Sequence, residues 1–107
     1  MAEWKKVGQC PVDAGMVMLV DPCYVLPNSE DSEPKYTYNQ LLALCEKKGW
    51  DEKSYGLPAT YGEMGVVVSS GFGDGCYDVF AKIVYCGDWG KRVAEVKVVF
   101  IQEDEYD

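Results

Sequence analysis

The sequence predicts an α+β fold: a single antiparallel, strongly twisted sheet of about five strands, with one helix, residues 37–48, packed on one face. Three observations predict it. Tyr77, Val79, Ala81, Ile83 and Tyr85 alternate with mostly polar positions, and Ala94, Val96, Val98 and Phe100 alternate again after Gly87-Asp88-Trp89-Gly90. Period-two patterning on both sides of a turn marks a β-hairpin. One further stretch, Tyr38, Leu41, Leu42 and Cys45, recurs at helical spacing and supplies an apolar stripe.

In chain order, Trp4 to Val7 reads as a short first strand. Met16 to Val20 is a continuous apolar run bounded by Gly15 and Asp21-Pro22, which fits a buried strand. Pro22 has no amide hydrogen and pushes Asp21 away from helical geometry, so the strand ends there. Residues 27–35 are a polar loop. Thr37 and Gln40 have capping-box spacing, in which hydroxyl and amide each satisfy an orphan backbone donor. Lys47 and Lys48 suit the negative end of the helix, and Gly49 suits a left-handed cap. Residues 50–63 lack periodicity and read as loop or irregular edge. Val66 to Val68 form a β-branched strand that runs into the glycine-rich Ser69-Ser70-Gly71-Phe72-Gly73-Asp74-Gly75. The second face of the hairpin, carrying Phe80, Val84, Val93, Val99 and Ile101, is unusually apolar for a sheet facing water. Its Phe80, Val84, Val99 and Ile101 are expected to form an interface, covered by another element of the chain or by a twin subunit in a homodimer.

At 107 residues the chain supports one core, so residues 1–102 form one domain. The longest apolar run, Met16–Val20, is too short to span a bilayer, and no apolar signal core follows the basic residues of the start. A cytoplasmic protein is expected. Five cysteines, irregularly spaced and without a CxxC pair, are expected to be small buried hydrophobes rather than zinc ligands. Of the net charge of −8, the tail Glu103–Asp107 carries four negative charges and the 30–35 loop a net two. The tail is expected to be disordered, and carboxylates in flexible segments do not imitate a nucleic-acid backbone. Ten Lys and Arg without a basic stripe disfavour direct nucleic-acid binding.

The chain has no histidine, which excludes Ser-His-Asp and Cys-His catalysis and removes the commonest transition-metal ligand. No catalytic set, resident metal or cofactor is expected. Two segments remain as a candidate ligand site. In the first, Asp21, Cys23 and Tyr24 place a carboxylate, a thiol and a phenol at the end of a strand. In the second, Ser69, Ser70, Gly71, Gly73, Asp74 and Gly75 supply closely spaced amides and two hydroxyls that suit an anion. If Met16–Val20 and Val66–Val68 were neighbouring parallel strands, the two segments would meet at one edge. The competing reading makes the glycine loop a bulged turn and Asp21 an acceptor for turn amides. Asp13, Asp21, Asp74 and Asp78 would supply oxygen ligands for magnesium or calcium only if these loops came together.

Val12-Asp13-Ala14-Gly15, Asp21-Pro22-Cys23-Tyr24, the run Gly73-Asp74-Gly75-Cys76-Tyr77-Asp78-Val79-Phe80-Ala81 and Arg92-Val93-Ala94 occur in that order. The order resembles small phage, prophage and bacterial proteins related to the DUF4241 group, whose pattern is roughly VDSG, DPCY, GDGxYPVY and GRVxxxxxxF. The likeness covers both ends of the chain but not the region of the helix, and departs at Asp78, where proline is common. It implies a viral or mobile-element origin and a compact β-rich fold, and brings no activity with it.

The function expected from all of this is a small non-enzymatic binding protein. It would capture a host protein or a small anionic ligand, such as a nucleotide, to interfere with host physiology or defence. The alternatives are a metal- or cysteine-dependent hydrolase or nucleotide-processing enzyme, and a structural or immunity-type dimerisation module.

Overall fold

A computed structural model describes residues 3–30, 32–33, 36–47, 59–61 and 64–105. Among these residues are six strands: β1 (Glu3–Val12), β2 (Met16–Val20), β3 (Ala59–Tyr61), β4 (Gly65–Ser69), β5 (Gly75–Tyr85) and β6 (Lys91–Val98). Two helices accompany them, a single turn α1 (Pro22–Val25) and the main helix α2 (Tyr38–Lys47). The α+β class and the antiparallel pairing are as predicted. The strands, however, divide into two three-stranded sheets, β1-β5-β6 and β2-β4-β3, instead of one.

Unequal spacers cause the division. The β1–β5 ladder ends at Val12 opposite Gly75, and the β2–β4 ladder begins at Met16 opposite Ser69. Residues 13–15 on one side must therefore match 70–74 on the other. The surplus breaks the pairing and turns the ribbon through a corner, as inserted residues do at bulges. Two smaller insertions shape the first sheet: Val7 is extra between Lys6 and Gly8, and Ala94 is extra between Glu95 and Val93.

These bulges correct two expectations. β1 is ten residues long, well beyond Trp4–Val7. Past the Ala94 bulge it is Val93 that stands opposite Ile83, so Val93 joins the face of Val79 and Ala81 and leaves that of Phe80. β6 also stops at Val98. The Val99 amide still donates to the Asp78 carbonyl at 3.2 Å, but Phe100 and Ile101 leave the sheet.

The core lies between α2 and the second sheet. Cys45 and Val67 are fully buried there, and Met16, Met18, Val25, Leu41, Leu44 and Met64 pack around them. The stripe of α2 that packs on this core is thus Leu41, Leu44 and Cys45, of which Cys45 is fully buried, and it is rotated from the expected one, because Tyr38 is 53% exposed. The capping box forms: the Thr37 amide donates to Gln40 Oε1 at 2.8 Å and the Gln40 amide to Thr37 Oγ1 at 3.2 Å. Thr37→Ala should lower stability by about 1 kcal/mol, read from the urea midpoint at unchanged slope. An unaltered midpoint would show that α2 is held by packing alone.

The expected Lys48–Gly49 cap, and the loop at 50–63 apart from Ala59–Tyr61, lie outside the described residues; Ala59–Tyr61 is strand β3. At the end of the chain Glu103–Glu105 form one exposed 3-10 turn, closed by the Gln102 amide on Glu105 Oε1 at 3.1 Å. Tyr106 and Asp107 are not among the described residues. No helix among them is long and apolar enough to cross a membrane.

Candidate functional site

The two candidate segments do not meet. β2 and β4 are antiparallel, with Val20 opposite Gly65 and Met16 opposite Ser69. Asp21, Cys23 and Tyr24 follow the Val20 end, whereas Ser69 to Gly75 follow the other. Four residue steps, about 13 Å of strand, separate them. The expectation of parallel neighbours, and with it a joint site, is overturned by this pairing.

Each segment has local work of its own. Asp21 is the N-cap of α1, its Oδ1 accepting the Cys23 amide at 3.0 Å. That hydrogen bond holds the carboxyl below the usual aspartate range, because it favours the charged form. The Asp21 carbonyl accepts the Tyr24 amide at 3.0 Å. Asp21, Cys23 and Tyr24 are all exposed. The acceptor role read from the sequence is the one the turn uses.

The glycine loop is the inside of the corner. Ser70 is fully buried, its amide donating to the Gly15 carbonyl at 3.1 Å. The Ser70 hydroxyl donates to the Gly73 carbonyl at 2.7 Å, and the Tyr77 phenol donates to the same oxygen at 2.6 Å. The Gly73 amide returns to the Ser70 carbonyl at 3.1 Å. Gly71 has φ +68, and a Cβ there would lie 3.0 Å from both Phe100 Cβ and Ile101 Cγ1. The side of the loop that faces Tyr77 and Phe100 is therefore closed by this chain. Gly73 has φ +120 with nothing within 4 Å of a Cβ, so Gly73→Ala should cost about 1–2 kcal/mol through backbone strain alone. Thermal melts will show it, and a variant as stable as the parent would mean that the loop relaxes freely.

The four aspartates do not gather: Asp13 and Asp74 flank the Val12–Gly75 pair, whereas Asp21 follows the far end of β2. Asp78 pairs with Lys6 Nζ at 3.1 Å and accepts Gln9 Nε2 at 3.2 Å. The Lys6 ammonium first, and Gln9 second, hold its carboxyl below the usual range. No group of three His, Cys, Asp or Glu among the described residues is placed to hold a metal ion. The cysteines correct another expectation: Cys45 is buried and Cys10 half-buried, but Cys23, Cys76 and Cys86 are exposed. Their strand and turn positions, set by register, point them outward.

What the fold does assemble is a band across the first sheet. Trp4 stands opposite Lys82, and Phe80 opposite both Lys6 and Lys97. Lys97 Nζ lies 4.2 Å from the Trp4 ring centroid and 5.7 Å from that of Phe80, a cation within reach of two aromatic rings. Lys6–Asp78 and Lys82–Glu95, the latter at 3.1 Å, flank it. Of the expected interface residues, Phe80 and Val84 share this face, Val99 borders it beside Asp78, and Ile101 packs over Gly71 instead. Trp4 and Lys97 escape sequence reading, because 93 positions separate them and only the register joins them.

Among the described residues, two shallow clefts are small. One of about 200 Å³ is lined by Glu3, Ile83, Val84, Tyr85 and Lys91, and one of about 170 Å³ by Met18, Val25, Tyr36, Thr37, Tyr38 and Leu41. Small-molecule sites usually span roughly 300–1,000 Å³. No family model, curated protein or solved structure matches the chain.

Proposed function

We propose that the chain is a small non-enzymatic binding protein whose target is another protein, captured on the Trp4–Lys97–Phe80 face of the first sheet. The cation within reach of two aromatic rings carries this reading. Aromatic anchors with a rim of charged side chains are the composition of protein–protein contacts. Here the rim is supplied by Lys6, Asp78, Lys82 and Glu95. Trp4 is 39% exposed, so a partner has apolar area left to cover. A nucleotide is a poorer fit to the described residues, since the two clefts they line are small and the Ser70 and Gly73 amides are spent within the corner. The resemblance to phage and prophage proteins supports a host target, and interference with host physiology or defence as the outcome. Cytoplasmic action accords with five unlinked cysteines, since disulfides are rare there.

The test is affinity capture with quantitative mass spectrometry from bacterial host lysate, run on the parent, Trp4→Ala, Lys97→Glu and Gly73→Ala, each checked for folding. A partner retained by the parent and by Gly73→Ala, but lost from the two face variants, supports the reading. Retention by all four moves the site off this face. A nucleotide released unchanged on denaturing the purified protein would establish the small-ligand reading, and conversion of added nucleotide would establish an enzyme.

A further inference from the structure

We propose that the protein is a homodimer, closed face to face through the side of the first sheet opposite Trp4 and Phe80. That side carries Val79, Ala81 and Ile83 from β5 with Val93, Val96 and Val98 from β6. It is open along β6 and at the end of β5, where Val93 is 59% exposed, Val96 55% and Tyr85 68%, while Ala81 at 4% lies sunk among half-buried Val79, Ile83 and Val98. α2 spends its apolar stripe on the second sheet, and no helix or second-sheet strand among the described residues packs broadly across this face.

The area fits a dimer. The chain exposes 8137 Å² at 12.0 kDa, whereas a monomer of that mass exposes about 6,000 Å². The surplus, about 2,000 Å² spread over the whole chain, leaves room for the roughly 800 Å² that each partner loses in a standard interface. The radius of gyration, 16.2 Å, likewise exceeds the about 13 Å of a compact chain of this length.

The pattern of the face selects a second copy as the occupant. One row across the strands reads Glu3, Ile83, Val93, and the next on the same face reads Lys5, Ala81, Val96. A two-fold axis lying across the strands between these rows superposes each on the other. Glu3 then meets the partner's Lys5 and Lys5 the partner's Glu3, an isologous pair of opposite charges. Ile83 lies over the partner's Ala81, large against small, and Val93 over the partner's Val96. Pairing through sheet edges is disfavoured, because β1 and β6 each carry a bulge and several basic side chains, devices that blunt an edge.

Sedimentation equilibrium from micromolar to sub-millimolar protein tests the proposal. The parent should have twice the 12.0 kDa chain mass. Val96→Lys should be monomeric, since a dimer would bury unpaired ammonium groups. Glu3→Lys and Lys5→Glu should each weaken dimerisation by about tenfold or more. The double exchange Glu3→Lys/Lys5→Glu should restore it, because the two charges trade places across the axis. The charge variants sit on exposed positions and decide the matter even if Val96→Lys fails to fold. A parent monomeric throughout, or a dimer indifferent to all these changes, overturns the proposal. Singles that weaken the dimer without rescue in the double overturn the arrangement of the axis.

Discussion

Gly65→Ala should unfold the protein or remove about 3 kcal/mol of its stability, although only one methyl group is added. Gly65 opens β4 opposite Val20. A Cβ there would fall on the Leu19 carbonyl oxygen, with the Leu19 carbonyl carbon at 3.1 Å and Val20 Cα at 3.2 Å. All three atoms are backbone, so no side chain can swing aside. Relief requires β2 to separate from β4 at the end of the ladder. That ladder carries Val67, Met16 and Met18, the floor on which α2 rests. Overpacking ordinarily costs about 1–3 kcal/mol, and rigid surroundings raise the figure. Against a typical total of about 5–15 kcal/mol, the loss is large. Gly8→Ala is the control, since nothing lies within 4 Å of a Cβ there, and it should melt with the parent. Urea titration of both variants gives the comparison, and equal midpoints for Gly65→Ala and the parent would refute the clash.

Tyr77→Ala should cost about 3 kcal/mol and loosen the corner, whereas Tyr77→Phe should cost about 1 kcal/mol. The ring of Tyr77 meets Phe100 edge to face, centroids 5.2 Å apart at 85°, and its phenol donates to the Gly73 carbonyl at 2.6 Å. Phenylalanine keeps the ring contact and loses only the donor. The Gly73 carbonyl is not orphaned, because the Ser70 hydroxyl still reaches it at 2.7 Å. Alanine loses both contacts and leaves Phe100 without its neighbour. Denaturant midpoints give the magnitudes, and hydrogen exchange locates them: the Ser70 and Gly73 amides should lose protection first. Equal losses in the two variants would show that the hydroxyl, not the ring, holds the corner.

Features that depend on near neighbours in the chain are legible in the amino-acid order. The alternation of residues 77–85 holds along all of β5, because β5 is the strand of the first sheet into which no residue is inserted. The Thr37–Gln40 box and the Asp21 cap arise from residues two or three positions apart, so local chemistry determines them before any tertiary contact forms. Features that depend on pairing are not legible. One extra residue turns every side chain beyond it to the other face. Val7 and Ala94 thereby conceal the length of β1 and the true face of Val93.

The strand partners of β2 and β4 decide where the Asp21 turn and the glycine corner stand, and alternation within a strand carries no information about the direction of its neighbour. Antiparallel pairing sends the two turns to opposite ends, while the same kind of pairing brings Trp4 beside Lys97. The sequence by itself determined an α+β chain with its helix start, its capped turn and its central strand, because those follow from conformational preference and hydrogen bonds within a few residues. Only the tertiary structure decided the division into two sheets and which faces remain open. Both follow from register between distant segments, and register is set by which backbone amides and carbonyls find each other.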